Sequence, residues 1–180
     1  MELWDLYTKD KVKSGIQMYR GEKVPEGCYR LVVCACIFNS KGEMLIQQRQ
    51  TFKSGWSGKW DISCGGCPIA GETSRDAIKR ELSEELGVIL DFEDLLPKIT
   101  LTLGNAFIDV YLIEKDIELS SLSLQECEVR DARWATMEEI LGLIDTDDFI
   151  PYNKGFVESL FFFRNHSKTT TKPDDTTPTK

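Results

Sequence analysis

The chain has 180 residues, 41% of them apolar and 29% charged, with 22 Lys plus Arg against 30 Asp plus Glu for a formal net charge of −8. That size suits one globular domain, and the acidic balance is the wrong sign for coating the phosphates of nucleic acid. The longest unbroken apolar run, residues 31–38, falls far short of the roughly 18 to 20 residues that cross a bilayer, so no membrane span is expected.

Met1-Glu2-Leu3-Trp4-Asp5-Leu6 has no basic stretch leading into an apolar one, and the expected address is cytoplasmic. Residues 31–39 and 43–49 are β-rich runs joined by Ser40-Lys41-Gly42, which predicts a hairpin. Gly and Ser punctuate residues 53–66, leaving Trp60-Asp61-Ile62-Ser63 as a short strand between loops. Thr73 followed by Asp76 forms a capping box, and the helix it opens should run to Leu86 and close at Gly87. Strands are predicted at 98–103 and 106–113 around the Gly104-Asn105 turn, then at 133–135. Helices are predicted at 137–143 and 152–163. This irregular mixture predicts an α+β domain over residues 1–164 with helices packed on a mixed sheet. Residues 165–180 hold Thr, Lys, Pro and Asp with no large apolar side chain, the composition of a disordered polar tail.

The helix opened by Thr73 carries Arg80-Glu81-Leu82-Ser83-Glu84-Glu85. At the helical pitch, Glu81, Glu84 and Glu85 fall within an arc of about 100°. Ile78, Leu82 and Leu86 form the neighbouring apolar stripe, which can pack on a sheet while the acids stay at its edge. Carboxylates so crowded repel one another. A solvated acidic face is the ordinary explanation, and a hard cation such as Mg²⁺ is the functional one.

Gly66, then Glu72, then Arg80-Glu81-Leu82-Ser83-Glu84-Glu85-Leu86-Gly87-Val88 match the pattern G-x5-E-x7-R-E-U-x-E-E-x-G-U, U being a bulky aliphatic residue, at all nine specified positions over 23 residues. The chain therefore resembles the Nudix hydrolase superfamily. The resemblance implies an α/β/α sandwich and hydrolysis of a diphosphate linkage in a nucleoside diphosphate-type small molecule. It implies Mg²⁺, with Mn²⁺ as the alternative ion, held by Glu81, Glu84, Glu85 and the carbonyl of Gly65. Glu72 and Arg80 would brace the loop and orient the acids. The proton of the attacking water would pass to Glu81 or to a later acid, Glu126 or Glu128, so the expected catalytic set is Arg80, Glu81, Glu84 and Glu128. Sugar nucleotides, ADP-ribose, oxidised nucleoside triphosphates and dinucleoside polyphosphates all fit this description.

Trp4-Asp5-Leu6-Tyr7, Arg20-Gly21 and Gln47-Gln48-Arg49 also resemble a branch related to type 1 isopentenyl-diphosphate isomerase. That enzyme needs a cysteine before the box glycine and a histidine after it, where this chain has Gly65 and Cys67. The one histidine, His166, lies in the polar tail. A Nudix-fold binding module without turnover is the other alternative, and the full set of box glutamates argues against it. Cys64 and Cys67, with Cys34 and Cys36, raise a zinc site; small residues in a tight loop and on a strand face are the simpler expectation. Trp56 and Trp60 could stack on a base or join the core, and Arg49 and Lys53 could meet phosphate oxygens or water. The run Phe161-Phe162-Phe163 offers a surface for the sheet or for a homodimer contact.

Overall fold

The computed structural model describes residues 1–90 and 95–164, so the expected tail at 165–180 lies outside the described residues. Nine strands form: β1 Leu3–Tyr7, β2 Lys13–Tyr19, β3 Arg30–Phe38, β4 Met44–Arg49, β5 Trp60–Asp61, β6 Cys64–Gly66, β7 Ile99–Leu103, β8 Ala106–Glu114 and β9 Val129–Ala135. Three α-helices join them: α1 Ser74–Leu86, α2 Met137–Asp145 and α3 Lys154–Arg164. β3 alternates between two cores, as the two-residue period of a strand buried on both faces demands. Val33, Ala35 and Ile37 meet Ala77, Ile78, Leu82 and Leu86 of α1. Cys36 and Phe38 meet Ile140 of α2 and Val157 and Leu160 of α3 on the opposite face. The result is the expected α+β sandwich around one mixed sheet.

The main sheet runs β5-β4-β3-β8-β7, with β6 added to β3 and β9 added to β4. β3 and β8 are parallel from Arg30↔Ala106 to Phe38↔Glu114, which a crossover through α1 makes possible. The predicted 31–49 hairpin needs correction, because β3 and β4 pair only at Phe38↔Met44 beside their turn and then part. β5 takes that edge of β4 instead, at Gln47↔Asp61 and Gln48↔Trp60, while β9 pairs its opposite edge over Met44↔Ala135 to Arg49↔Val129. Ser63 fills the opening: its hydroxyl accepts from Ile37 N–H at 2.8 Å and donates to the Leu45 carbonyl at 2.5 Å. The strand expected at 60–63 is shortened to β5, ending at Asp61, and β6 begins after the wedge at Cys64. Beyond it, β6 pairs Gly65 with Cys34 and Gly66 with Val33, which inserts the start of the box directly into the sheet.

α1 is bounded as predicted. Thr73 Oγ1 accepts from Asp76 N–H at 3.2 Å and Asp76 Oδ2 accepts from Thr73 N–H at 3.1 Å, while Gly87 closes the helix in the left-handed conformation with φ 69°. The last helix starts at Lys154 rather than at Tyr152, because Asn153 Oδ1 takes the Gly155 N–H at 2.9 Å and so caps the turn. Tyr152 is left outside the helix, a placement with consequences for the site. Among the described residues, no helix is long and apolar enough to cross a membrane.

The N-terminal hairpin β1–β2 was not anticipated as paired strands. Its small core of Trp4, Leu6, Met18 and Cys28 rests beside Cys67. Its backbone and side chains clamp the box loop: Ala70 N–H donates to Leu3 O at 2.7 Å, and Gly71 N–H to Asp5 Oδ2 at 2.9 Å. The turn after β1 sends the Lys11 ammonium to the buried Asp109 carboxylate. Thr100 Oγ1 donates to the same carboxylate at 2.6 Å and Ser74 Oγ at 2.7 Å, so Asp109 joins the hairpin, β7 and the first turn of α1. Removing it strands three donors. Asp109→Ala should lower the unfolding free energy by about 2–3 kcal/mol, read from the urea midpoint at unchanged slope.

Candidate active site

The box loop turns back over β6, and α1 brings its carboxylates to that turn. Arg80 organises them: Nε and Nη2 donate to the two Glu72 oxygens at 2.8 and 3.1 Å, and Nη2 also donates to the Cys67 carbonyl at 3.2 Å. Nη1 holds Glu81 Oε1 at 3.0 Å and Glu84 Oε2 at 3.1 Å. Glu81 crosses Gly66 so closely that a Cβ there would overlap its carboxylate, a physical reason for glycine at the first position of the pattern. Glu85 is 7% exposed and accepts from the Gln47 amide at 2.9 Å. Burial pushes its carboxyl up to about 7, against the opposing hydrogen bonds from Gln47 and Cys64. Burial raises Glu81 as well, with Arg80 opposing.

Glu81, Glu84, Glu85 and Gly65 line a polar cavity of about 340 Å³ whose lining also includes Arg20, Arg30, Arg49 and Lys53. The segment after the short 3-10 turn Leu119–Ser121 is tied to the end of α1 by Ser123 N–H to Leu86 O and Gln125 N–H to Glu85 O, both at 3.0 Å. That tie carries Glu128 onto the cavity wall, where Lys53 Nζ pairs with its Oε2 at 2.5 Å. Glu126, the other acid considered, is exposed and is not part of the wall.

The donor set suits a hard divalent ion. It consists of oxygen atoms, and Glu85 is a buried carboxylate whose hydrogen-bond partners, Gln47 and Cys64, are neutral. Among the described residues no three His, Cys, Asp or Glu side chains are already gathered around one ion position. Glu81 and Glu84 would therefore have to leave Arg80 Nη1 to share an ion. The six cysteines are free thiols, and Cys34 and Cys36 belong to the core on the α2–α3 face rather than to a zinc cage.

A second cavity, about 720 Å³ and largely apolar, adjoins the first and shares Arg30, Arg49 and Gly65-Gly66-Cys67 with it. One side is the cross-strand row Val32, Ile108, Leu101, set by the registers Val32↔Ile108 and Leu101↔Ile108. Tyr152 and Phe156 border it, with the half-exposed Trp56 at its rim. Asp61 stands in this apolar lining. Its Oδ1 accepts from Ile62 N–H at 2.8 Å and from the Tyr152 hydroxyl at 2.9 Å, and burial pushes its carboxyl up to about 6 despite those bonds.

The NUDIX domain family model matches residues 29–160. The chain belongs to the Nudix family. It is 43% identical over 165 residues to an uncharacterised Nudix hydrolase of Listeria monocytogenes, covering 92% of this chain and 96% of that one. An isopentenyl-diphosphate Δ-isomerase of Shigella flexneri is 31% identical over 120 residues, covering 64% of this chain and 66% of its own. The crystal structure of DR0079 from Deinococcus radiodurans superposes with a TM-score of 0.73 at 26% identity, covering 88% of this chain and 99% of that one.

Of the residues weighed from the sequence, Glu81, Glu84, Glu85 and Lys53 line the polar cavity, Trp56 the apolar one and Arg49 both. Trp60 instead packs against the α2–α3 core, with the Arg133 guanidinium 5.1 Å from its ring centre. Arg20 had entered only through the isomerase likeness, and Arg30 and Asp61 were not singled out. The available signals were a charge heading the β3 apolar run and a lone acid between Trp60 and Ile62.

Gly66→Ala should leave the fold intact, since the long Glu81 side chain can yield, and should lower Mg²⁺ affinity roughly 10- to 100-fold by displacing it; calorimetric Mg²⁺ titration checks this. Asp61 gives a pH test. Its folded value near 6 lies above its ordinary 3.8, so the unfolded chain releases this proton first and stability falls as pH rises through that window. Between about pH 4 and 7, the unfolding free energy of the wild type should drop by on the order of 2 kcal/mol relative to Asp61→Asn.

Proposed function

We propose that this Nudix protein hydrolyses a diphosphate linkage in a nucleoside diphosphate-type small molecule, with Mg²⁺ or, in its place, Mn²⁺. The observation that carries this reading is the junction of the two cavities at Gly65-Gly66-Cys67, with the box acids and the cations Arg20, Arg30, Arg49 and Lys53 lining one polar chamber. Glu81, Glu84, Glu85 and the Gly65 carbonyl would hold the metal. When bound, it would neutralise diphosphate oxygens and lower the pKa of a coordinated water. Arg30, Arg49 and Lys53 bind the remaining phosphate oxygens and orient the linkage. Arg80 keeps Glu72 and the Cys67 carbonyl when it gives up Glu81 and Glu84, so the loop stays in place while the acids turn.

Glu128 accepts the proton of the attacking water at its carboxylate. Lys53 holds Glu128 against the chamber beforehand, and its ammonium can pass from that carboxylate to an incoming phosphate. Isomerase chemistry lacks support at the same point, since Gly65 and Cys67 stand where that resemblance asks for a cysteine and a histidine. A binding module would not need the full set of acids.

The test is a screen of sugar nucleotides, ADP-ribose, oxidised nucleoside triphosphates and dinucleoside polyphosphates with Mg²⁺ and Mn²⁺, both products being identified. At least one should be cut at its diphosphate, and chelation should abolish the reaction. Glu84→Gln and Glu85→Gln should each lower kcat by roughly 100-fold or more with Tm unchanged or raised, because each removes a ligand and a repelling charge. Full turnover in both variants would overturn the assignment.

A further inference from the structure

β4 carries one residue that its packing does not call for. Leu45 faces the core against α1 and Ile46 the core against α2 and α3, so by the two-residue period of a strand Gln47 returns to the α1 side. It is 3% exposed, and its neighbour across on β9 is Ala132, which packs against the same apolar core. An amide in such a place destabilises the fold unless its hydrogen bonds are made. Among the described residues the Gln47 side chain bonds only Glu85, through Nε2 to Oε2 at 2.9 Å. Cys64 of β6, fully buried, donates its thiol to the same carboxylate. Two strands of the sheet thus direct neutral donors at one acid of α1.

The three acids of α1 differ in what holds them. Arg80 Nη1 donates to Glu81 at 3.0 Å and to Glu84 at 3.1 Å, and a divalent ion has to displace those charged contacts. The partners of Glu85 are an amide and a thiol, which orient a carboxylate without supplying a counter-charge. Resting on the metal assignment of the hydrolase reading above, we propose that Gln47, with Cys64 as the second donor, is the positioning residue that holds Glu85 as a pre-placed ligand, so that the ion meets one fixed acid before Glu81 and Glu84 leave Arg80. Both residues lie outside the box pattern, which begins at Gly66. β4 is paired with β9 along its whole length, from Met44↔Ala135 to Arg49↔Val129. The amide therefore sits on a rigid bed while the helix brings the acid to it. Groups that orient a metal ligand from behind commonly account for roughly 10- to 100-fold in metal affinity.

The test uses the metal alone. Mn²⁺ is titrated into the substrate-free protein with the free-ion signal followed by electron paramagnetic resonance, and Tm is measured on the same samples without metal. Gln47→Met keeps the length of the side chain and removes its donor, and should weaken Mn²⁺ binding roughly 10- to 100-fold. Gln47→Lys should weaken it further, because its ammonium gives Glu85 a resident counterion that Mn²⁺ must displace. Cys64→Ala should weaken Mn²⁺ by a smaller factor, since a thiol is a weak donor, and Cys64→Ser, which restores an O–H, should return the affinity to within about threefold of the wild type. A purely structural role would move Tm in these variants and leave Mn²⁺ affinity alone. The cysteine variants decide the matter even where those at Gln47 do not fold. Unchanged Mn²⁺ affinity in whichever of Gln47→Met and Cys64→Ala folds overturns the proposal and leaves the hydrolase reading standing. A wild type that takes up no Mn²⁺ overturns the metal assignment itself, and the proposal with it.

Discussion

The Arg80 guanidinium makes five hydrogen bonds: two to Glu72, one each to Glu81 and Glu84, and one to the Cys67 carbonyl. Among the described residues, no other side chain holds the start of the box loop and the acids of α1 at once. Without that charge, Glu81 and Glu84 would share a small chamber with Glu85 and no cation on their own helix face. Because its donors are a planar fork, Arg80 can release one edge and keep the other. The Nη1 edge faces the two acids that an ion would claim, and the Nε–Nη2 edge faces the loop. The same residue therefore serves as counterion and as brace, and exchange of the first role for a divalent ion need not disturb the second.

What could be read from the sequence follows the distance over which each feature is decided. The α1 caps and the Ile78–Leu82–Leu86 stripe involve neighbours within a few residues, and the structure places them as expected. The turn at Ser40-Lys41-Gly42 is local too, and it forms. The hairpin expected beyond it does not continue, because β5 takes the same edge of β4 and Ser63 wedges the strands apart. Neither competitor appears in the local pattern. Asp61 is the same case, since its environment depends on Tyr152, 91 residues away and outside α3 only because Asn153 caps that helix. The hairpin β1–β2 was hidden by composition: β2 is mostly exposed and carries Gly15 among polar residues, so it shows little apolar alternation.

Net charge proved a poor guide to the local field. The chain is acidic at −8, yet Arg20, Arg30, Arg49 and Lys53 converge on one chamber from the turn after β2, from β3, from β4 and from the loop after β4. Two of these cations are balanced at rest by acids of the same chamber, Arg20 by Glu2 at 2.8 Å and Lys53 by Glu128 at 2.5 Å. On the proposed hydrolase reading, an incoming phosphate would compete with a carboxylate that is already placed, so the chamber need not carry an unpaired positive surface to receive it. The overall negative charge then opposes nonspecific binding of polyanions while the chamber remains suited to a small one.

β3 makes the two halves of the site one structure. Its Arg30, Val32 and Cys34 line the apolar cavity, and Val33, Ala35 and Ile37, between and beyond them, form the bed for α1. A slip of one residue would turn the apolar bed toward the cavity and set Arg30, Cys34 and Val32 against the helix that carries the box. Nine successive pairs with β8 oppose that slip, and the insertion of Gly65 and Gly66 beside Cys34 and Val33 ties the box to the same register. The separation between apolar cavity and box helix is thus set by the pleat of one strand, whose alternate side chains serve opposite faces.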